Sequence, residues 1–103
     1  MIKKADSDTI YIHSPDVVAR EIEGVIVIIP IVSSIGDLEN ELFSLNETGK
    51  AIWEKLNGRR TLKQIIAELK NEYQDPAKNI QEDVIGLASE LLKRRMIVEY
   101  TGG

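Results

Sequence analysis

The change from strands to helices in this chain lies at Leu45-Asn46-Glu47-Thr48-Gly49-Lys50-Ala51-Ile52-Trp53. Asn46 is a favourable N-cap residue, because its side-chain oxygen can accept a hydrogen bond from a free backbone N–H of the first helical turn. The helix that follows carries Ile52 and Trp53, and we interpret Trp53 as a core residue. Gly58 is the expected C-terminal end of this helix.

Two further amphipathic helices are predicted downstream. Thr61 and Gln64 have the pattern of a capping box, in which two residues exchange side chain to backbone hydrogen bonds. Asp75-Pro76 predicts the start of the third helix, since Asp is a good N-cap and proline fits the first helical position. Apolar residues recur at helical spacing in both helices, namely Leu62, Ile65, Ile66 and Leu69, then Ile80, Val84, Leu87, Ala88 and Leu91.

The segments before residue 45 predict a small antiparallel sheet. Residues 17–22 and 25–29 are rich in β-branched side chains and flank a two-residue turn at Glu23-Gly24. A short third strand is predicted at 41–45, and residues 96–100 can add a last strand. The predicted fold class is therefore α+β and winged-helix-like, with a three-stranded antiparallel sheet followed by three helices and a short C-terminal strand.

One domain accounts for the 103 residues of the chain. We assign residues 1–14 to a flexible N-terminal arm, 15–100 to the folded domain and 101–103 to a tail. The arm could contain a short extended segment at Ile10-Tyr11-Ile12. His13 is the one histidine, and its place in the polar arm predicts a surface position. Residues 33–40 form an acidic, turn-rich loop to which we assign no function.

Composition and charge restrict the possible functions. The net charge of −4 disfavours nucleic-acid binding, because neutralising phosphates requires an excess of Lys and Arg. The absence of cysteine removes disulfides, thiolate catalysis and cysteine-ligated metals. The chain shows no signal-peptide pattern and no apolar run near the ~20 residues that cross a bilayer. We therefore expect a soluble, cytoplasmic protein with no cofactor, no metal site and no nucleic-acid or membrane partner.

Catalytic residues are not predicted either. Glu68 and Glu72 should lie on the solvent face of their helix, and the adjacent Glu82 and Asp83 point in different directions. Neither pair assembles a buried acid–base site. The glycines are isolated from one another and form no phosphate-binding loop. We therefore expect a protein that is not an enzyme.

Two features of the predicted fold could bind a partner, and each has an alternative explanation. The short third strand lies at a sheet edge, whose unpaired backbone groups invite an added strand. Alternatively, the chain's own arm or tail covers that edge. In the third helix, the small residues Gly86 and Ala88 would leave a shallow groove beside Leu87 and Leu91. Tight packing of another helix would explain those small residues equally well.

From about residue 15 to residue 100, the chain resembles the PqqD-like family, also called RiPP recognition elements. The Leu-Asn-Glu-Thr-Gly segment combined with a downstream Asp-Val is specific, whereas either piece alone would be weak. Arg95 is a departure, because the family often has Gly at this helix-to-strand turn. The matching residues are Val17-Val18-Ala19-Arg20, Gly24, Leu45-Asn46-Glu47-Thr48-Gly49, Ile52-Trp53, Gly58, Arg60-Thr61-Leu62, Ile65, Leu69, Tyr73, Asp83-Val84, Leu91 and Met96-Ile97.

The resemblance implies a peptide-binding function. Members of this family look like small winged-helix modules that bind the leader segment of a ribosomally made precursor peptide. They present it to a maturation enzyme, such as a radical SAM protein, a leader peptidase or a cyclase, in pyrroloquinoline quinone, lasso-peptide and other pathways. The leader adds to the third strand and lies between it and the third helix. The implied peptide-binding residues are Leu42, Phe43, Ser44, Leu45, Asp83, Leu87, Ala88, Leu91 and Arg94.

The predicted fold is also compatible with DNA binding and with dimerisation. A winged-helix DNA-binding regulator would have nearly the same fold, but the net charge and the acidic Glu82 and Asp83 disfavour it. A homodimer joined through sheet edges is compatible with peptide binding, so we expect a monomer or a weak homodimer. The basic run 93–95 would suit a leader with apolar anchors and an acidic residue.

Overall fold

The structure is a computed structural model that describes residues 5–31, 43–73 and 79–101. It contains antiparallel strands, three helices and a C-terminal strand, which confirms the predicted α+β class. The strands form two three-stranded sheets, β2-β3-β4 and β5-β1-β6. In chain order the elements are β1 (Ile10–His13), β2 (Val17–Ile22), β3 (Val25–Pro30), β4 (Phe43–Leu45), α1 (Glu47–Lys55), β5 (Asn57–Thr61), α2 (Leu62–Tyr73), α3 (Ile80–Lys93) and β6 (Ile97–Glu99).

Sheet β2-β3-β4 corresponds to the predicted three-stranded sheet. Strands β2 and β3 pair from Val17 with Pro30 to Ile22 with Val25, so residues 23 and 24 make the turn. Both turn residues have positive φ angles, 50° and 83°, as a two-residue type I′ hairpin turn requires. Strand β4 then pairs with the other side of β3 and lies at the sheet edge.

The second sheet contains a strand where the sequence analysis placed a flexible arm. Strand β1 is its central strand and pairs with both β5 and β6. Tyr11 is 1% exposed, and its hydroxyl accepts a hydrogen bond from the backbone N–H of Asp6 at 3.0 Å. The backbone N–H of Ala5 donates to the Ser89 hydroxyl of α3. Residues 5–13 are therefore held against the domain, and the assignment of this part to a flexible arm is wrong.

Gly58 does not end the first helix, contrary to the prediction. Helix α1 ends at Lys55 with Leu56 as its C-cap, and Gly58 lies within β5 at φ 80°. The register between β1 and β5 shifts beside it. A Cβ at Gly58 would lie 3.2 Å from the Cδ1 of Ile12, so the glycine permits both the positive φ and the close approach of β1.

The predicted helix-capping signals are largely confirmed. Asn46 Oδ1 accepts a hydrogen bond from Gly49 N–H at 2.9 Å. Thr61 and Gln64 exchange the two hydrogen bonds of a capping box, at 3.2 and 2.8 Å. Helix α3 begins at Ile80 and is capped by Asn79, whose side chain accepts a hydrogen bond from the N–H of Glu82 at 3.2 Å; the sequence did not predict this cap. The predicted start at residues 75–76 lies outside the described residues, as do the acidic loop 33–40 and the first two residues of the predicted third strand.

The core lies between the two sheets and the three helices. Trp53 is 3% exposed, which confirms its predicted core position. Within the described ranges, no helix combines the length and apolar character needed to cross a membrane. The largest fully buried side chains come from both sheets and all three helices: Tyr11, Ile28, Ile52, Leu56, Leu62, Ile65, Leu69, Val84, Leu91 and Ile97.

Candidate binding site

An open cleft of about 560 Å³ separates β4 and the start of α1 from the first two turns of α3. We call it the β4–α3 cleft. Ile52 and Leu45 are buried in its floor, while Phe43 and Leu87 are half-buried at its sides. Its lining is mostly apolar and consists of Val25, Phe43, Ser44, Leu45, Asn46, Thr48, Gly49, Ile52, Asp83 and Leu87.

The start of α1 fits closely against the end of β4 because position 49 has no side chain. A Cβ at Gly49 would lie 3.1 Å from Cβ and 3.2 Å from Cδ2 of Leu45, closer than ordinary van der Waals contact. The Asn46 cap and the Gly49 contact thus place the helix directly behind the strand. This arrangement fixes the inner wall of the cleft.

The outer edge of β4 has no strand partner in the part of the chain that the structure describes, because β4 is the last strand of its sheet. The sequence left open whether the arm or the tail covers this edge. The arm segment forms β1, and β1 pairs with β6 in the other sheet. The described parts of both chain ends therefore lie in the other sheet and do not cover the edge of β4.

Five of the residues implied by the family resemblance line the β4–α3 cleft together. They are Phe43, Ser44, Leu45, Asp83 and Leu87. The strand residues come from β4, and the other two lie one helical turn apart on the same face of α3. As predicted, this strand and this helix lie on opposite sides of one cleft. Whether a peptide binds there is a separate question.

The remaining four implied residues have other positions. Leu42 lies outside the described residues. Ala88 and Leu91 are fully buried, because they lie on the face of α3 that packs against the core. They therefore support the cleft from behind and do not line it. Arg94 lies beyond the described cleft, with its guanidinium carbon 4.8 Å from the centre of the Phe43 ring.

The sequence analysis missed the contribution of the β3 start and the first turns of α1. Val25, Asn46, Thr48, Gly49 and Ile52 all line the cleft. Four of these residues belong to the segment that marks the transition from strands to helices. That segment was interpreted as a capping and core signal and as part of the family resemblance, but these four residues were not predicted to line the site. The sequence signal that could have indicated close packing of α1 on β4 is the glycine at position 49, in the first helical turn directly after the strand.

Two basic residues near the cleft form ion pairs, whereas the acidic residue that lines it does not form one with any described residue. Arg94 Nε donates to Glu90 Oε2 at 2.7 Å, so the basic end foreseen from residues 93–95 is partly neutralised within α3. Lys50 binds Glu21 of β2 at 2.6 Å, and this hydrogen bond raises the pKa of the lysine. Asp83 is exposed on the cleft, and in the described part of the chain its carboxylate has no ion-pair partner.

Gly86 does not contribute to the β4–α3 cleft. It lies with Gln81, Glu82 and Ile85 around a separate depression of about 290 Å³ on the outer side of α3. A Cβ at Gly86 would meet no atom within 4 Å. No close approach within the described chain therefore requires glycine there.

His13 is not the surface residue that the sequence predicted. Its ring stacks on that of Trp53, with the centroids 3.7 Å apart and the planes at 7°. Nε2 lies 2.8 Å from the Trp53 carbonyl oxygen, to which the neutral ring can donate. Burial lowers the pKa of His13, partly opposed by this hydrogen bond. Among the described residues, no group of three or more His, Cys, Asp or Glu residues is placed to hold a metal ion.

Comparison with known families places the chain in one of them. A sequence model of the family described as "Coenzyme PQQ synthesis protein D (PqqD)" matches residues 15–97. Because this match covers well over half of the sequence, the chain belongs to the PqqD family, and the resemblance inferred from the sequence is confirmed.

Comparison with solved structures gives the same fold. The protein is similar to a structure described as "TbiB1 in Complex with the TbiA(beta) Leader Peptide", with a TM-score of 0.68 and 19% sequence identity. The match covers 88% of this chain and 99% of that one. A comparison with curated proteins finds no match. At this level of identity the structural similarity establishes a shared fold.

Proposed function

We propose that this protein binds the leader segment of a ribosomally synthesised precursor peptide in the β4–α3 cleft and presents it to a maturation enzyme. One observation carries the proposal: the outer edge of β4, which has no partner among the described strands, lies beside an apolar cleft. The edge can pair with an extended backbone, and the cleft can receive every second side chain of that segment.

The two parts of the site would contribute differently to binding. Hydrogen bonds along β4 are blind to the peptide sequence, so the cleft must supply specificity. An apolar side chain buried between Leu87 and Ile52 would stabilise the complex by about 1.5–3 kcal/mol. One or two such anchors would carry most of the binding free energy.

The comparisons support this proposal from two directions. The family of the chain is described by a role in coenzyme PQQ synthesis. The similar solved structure is a complex of TbiB1 with a leader peptide. Shared fold does not by itself transfer a ligand, and the proposal therefore rests first on the strand edge and cleft of this chain.

The proposal assigns the catalytic step to another protein. Peptide maturation would be carried out by a separate enzyme in the cytoplasm, of the radical SAM, leader peptidase or cyclase class, and this protein would bring the precursor to it. A pathway of the lasso-peptide or pyrroloquinoline quinone type would use such a module in the same way. The enzyme partner and the pathway are parts of the proposal that binding experiments with candidate enzymes can resolve.

A DNA-binding regulator is the competing function, and nothing in the described residues favours it. The first turn of α3 carries Glu82 and Asp83, which would repel phosphate groups. The net charge of −4 acts in the same direction.

Fluorescence-polarisation titration at fixed salt tests the proposal. The probes are synthetic leaders of short precursor peptides encoded beside the gene of this protein. We expect saturable binding that is lost when alternate backbone amides of the leader are N-methylated, because a methylated amide cannot donate to β4. Absence of binding to every leader, together with salt-dependent binding to duplex DNA, would reject the proposal.

A pair of variants tests the cleft itself. Leu87→Ala removes an apolar side chain from the cleft and should weaken leader binding about tenfold. Ile85→Ala removes a side chain of the same helix that is also half-buried against the core but does not line the cleft, and it should leave affinity nearly unchanged. Equal losses in the two variants would indicate a general effect on α3 and would contradict binding in the cleft.

A further inference from the structure

Asp83 carries the only ionisable side chain among the residues that line the described cleft. It lies in the first turn of α3 and is exposed on the cleft. In the part of the chain that the structure describes, no Lys or Arg binds it. A peptide docked against β4 would therefore pass one carboxylate whose charge no described residue balances.

At the other end of the site, the charge of Arg94 is already paired. Arg94 binds Glu90 at 2.7 Å, and its guanidinium lies over the Phe43 ring. An acidic peptide residue at this end would have to compete with Glu90. The uncompensated charge of the described site is thus negative, which is opposite to the charge that the basic run 93–95 suggested.

The order of these groups along the site sets the direction in which a peptide meets them. Phe43, at the start of β4, lies beside Arg94, near the end of α3. Asp83 is near the start of α3, about 16 Å earlier along the helix axis than Arg94, and so it lies toward the Leu45 end of β4. A strand added antiparallel to β4, which continues the all-antiparallel sheet, would pass Leu45 and Asp83 first.

The spacing along α3 matches the repeat of an extended peptide. Asp83 and Leu87 are four residues apart, about 6 Å along a helix. Side chains on one face of a strand are two residues apart, about 6.6–6.8 Å. Two consecutive inward side chains of the peptide would therefore face Asp83 and Leu87 in turn.

We infer that Asp83 selects precursor segments in which a Lys or Arg stands two residues before an apolar anchor, with the cation at Asp83 and the anchor at Leu87. This inference rests on the proposed function and specifies its ligand class as a basic–any–apolar segment. Asp83 also complements the dipole of α3, but Glu82 in the same turn does so equally and lies on the outer side of the helix. Glu82 therefore provides a matched control.

A display selection tests the inference without knowledge of the natural precursor. A random library of peptides about twelve residues long is selected on the full chain and on the variants Asp83→Asn, Asp83→Lys and Glu82→Lys. We expect Lys or Arg to be enriched two positions before an apolar residue with the wild type and Glu82→Lys. The enrichment should disappear with Asp83→Asn and change to Asp or Glu with Asp83→Lys.

Titrations with one selected peptide then measure the coupling. Replacing its Lys by Glu should weaken binding to the wild type about threefold to tenfold and strengthen binding to Asp83→Lys by a similar factor. Thermal unfolding curves establish that all variants are folded. A selected peptide whose charge preference is the same for the wild type and Asp83→Lys would overturn the inference while leaving strand addition intact. Failure to select any peptide would count against the proposed function itself.

Discussion

The stacked pair of His13 and Trp53 joins the central strand of one sheet to the helix behind the cleft. The rings are nearly parallel, and the same histidine reaches the carbonyl of Trp53. This contact orders the C-terminal half of α1 against β1. Since His13 is the only histidine, it gives the domain one titration near neutral pH that can be isolated experimentally.

Stability should therefore decrease as the pH falls below the ordinary histidine pKa of 6.5 and then through the lower folded-state pKa of His13. Burial lowers the pKa of His13 in the folded state below its ordinary value of 6.5, so the unfolded chain binds the proton first as the pH falls. The stabilisation is complete above the unfolded-state pKa and is lost as the pH falls through the lower folded-state value. Urea unfolding followed by circular dichroism at each pH measures the change.

His13→Gln is the matched control for this titration. Its amide can still donate to the Trp53 carbonyl, but it does not titrate. The variant should lose most of the pH dependence above about pH 5.5, where carboxylates with ordinary pKa values near 4 contribute little. Equal pH dependence in variant and wild type would show that His13 is not the group responsible.

Two single residues show what sequence patterns do not reveal. His13 looked like a surface residue because its neighbours are polar, and its partner Trp53 lies forty positions away. Arg95 has a φ of 59°, a left-handed conformation that favours glycine. The family's frequent Gly at this turn signalled that conformation, although this chain keeps an arginine there.

At the scale of elements, the packing of α1 on β4 depends on the absence of a side chain at Gly49. Gly86 is also helical, but it faces open space. The two glycines therefore have different reasons to be present. Gly49 permits close contact between a helix and a strand. Gly86 weakens its helix, and no close contact within the described chain requires a glycine there.

Alanine substitutions at these glycines should change stability in opposite directions. Gly86→Ala should raise the free energy of unfolding by about 0.5–1 kcal/mol through helix propensity. Gly49→Ala should lower it by about 1–3 kcal/mol, because the new methyl group is forced against the buried Leu45. Urea unfolding of the two variants provides the comparison. Stabilisation by both substitutions would mean that β4 moves readily away from α1.

Elements with local signals were predictable, and elements that depend on distant partners were not. The hairpin turn at residues 23–24, the Asn46 cap and the Thr61–Gln64 capping box are encoded within a few residues, and all three are present. Strand β5 has the sequence Asn-Gly-Arg-Arg-Thr, with no apolar alternation to indicate a strand. For β1, the sequence offered only a short extended segment at 10–12. Its central position in a sheet, like the existence of β5, depends on pairing between distant segments, which no short segment of sequence shows.

At the scale of the whole molecule, the β4–α3 cleft combines segments from three parts of the chain. Position 25 is the first residue of β3, positions 43–52 span β4 and most of α1, and positions 83–87 are in α3. The family resemblance predicted the strand and the helix of this site, but not the side chains buried behind it. Local patterns cannot distinguish cleft residues from core residues on one helix, as Leu87 and Ala88 illustrate.

Leader binding should stabilise the whole domain if β4 and α3 act as one site. A peptide that binds only the folded state at a hundred times its Kd raises the free energy of unfolding by about 2.7 kcal/mol. For a domain of this size the expected increase in Tm is about 10 to 20 °C. Thermal unfolding with and without leader measures it, and the N-methylated leader should give no increase. An increase with both peptides would argue against pairing along β4.

The central position of β1 also has a consequence for how the protein is made on the ribosome. Strand β1 pairs with β6, whose residues are synthesised more than eighty positions later. The β2-β3-β4 sheet can form while translation continues, because its strands are close in sequence. Strand β1 can pair with β5 at that stage, but the β5-β1-β6 sheet is incomplete until β6 is made. Pairings of such wide sequence separation form slowly. In a nascent chain stalled before residue 97, β1 could pair with β5, but its other edge would lack β6 and would be accessible to chaperones and proteases.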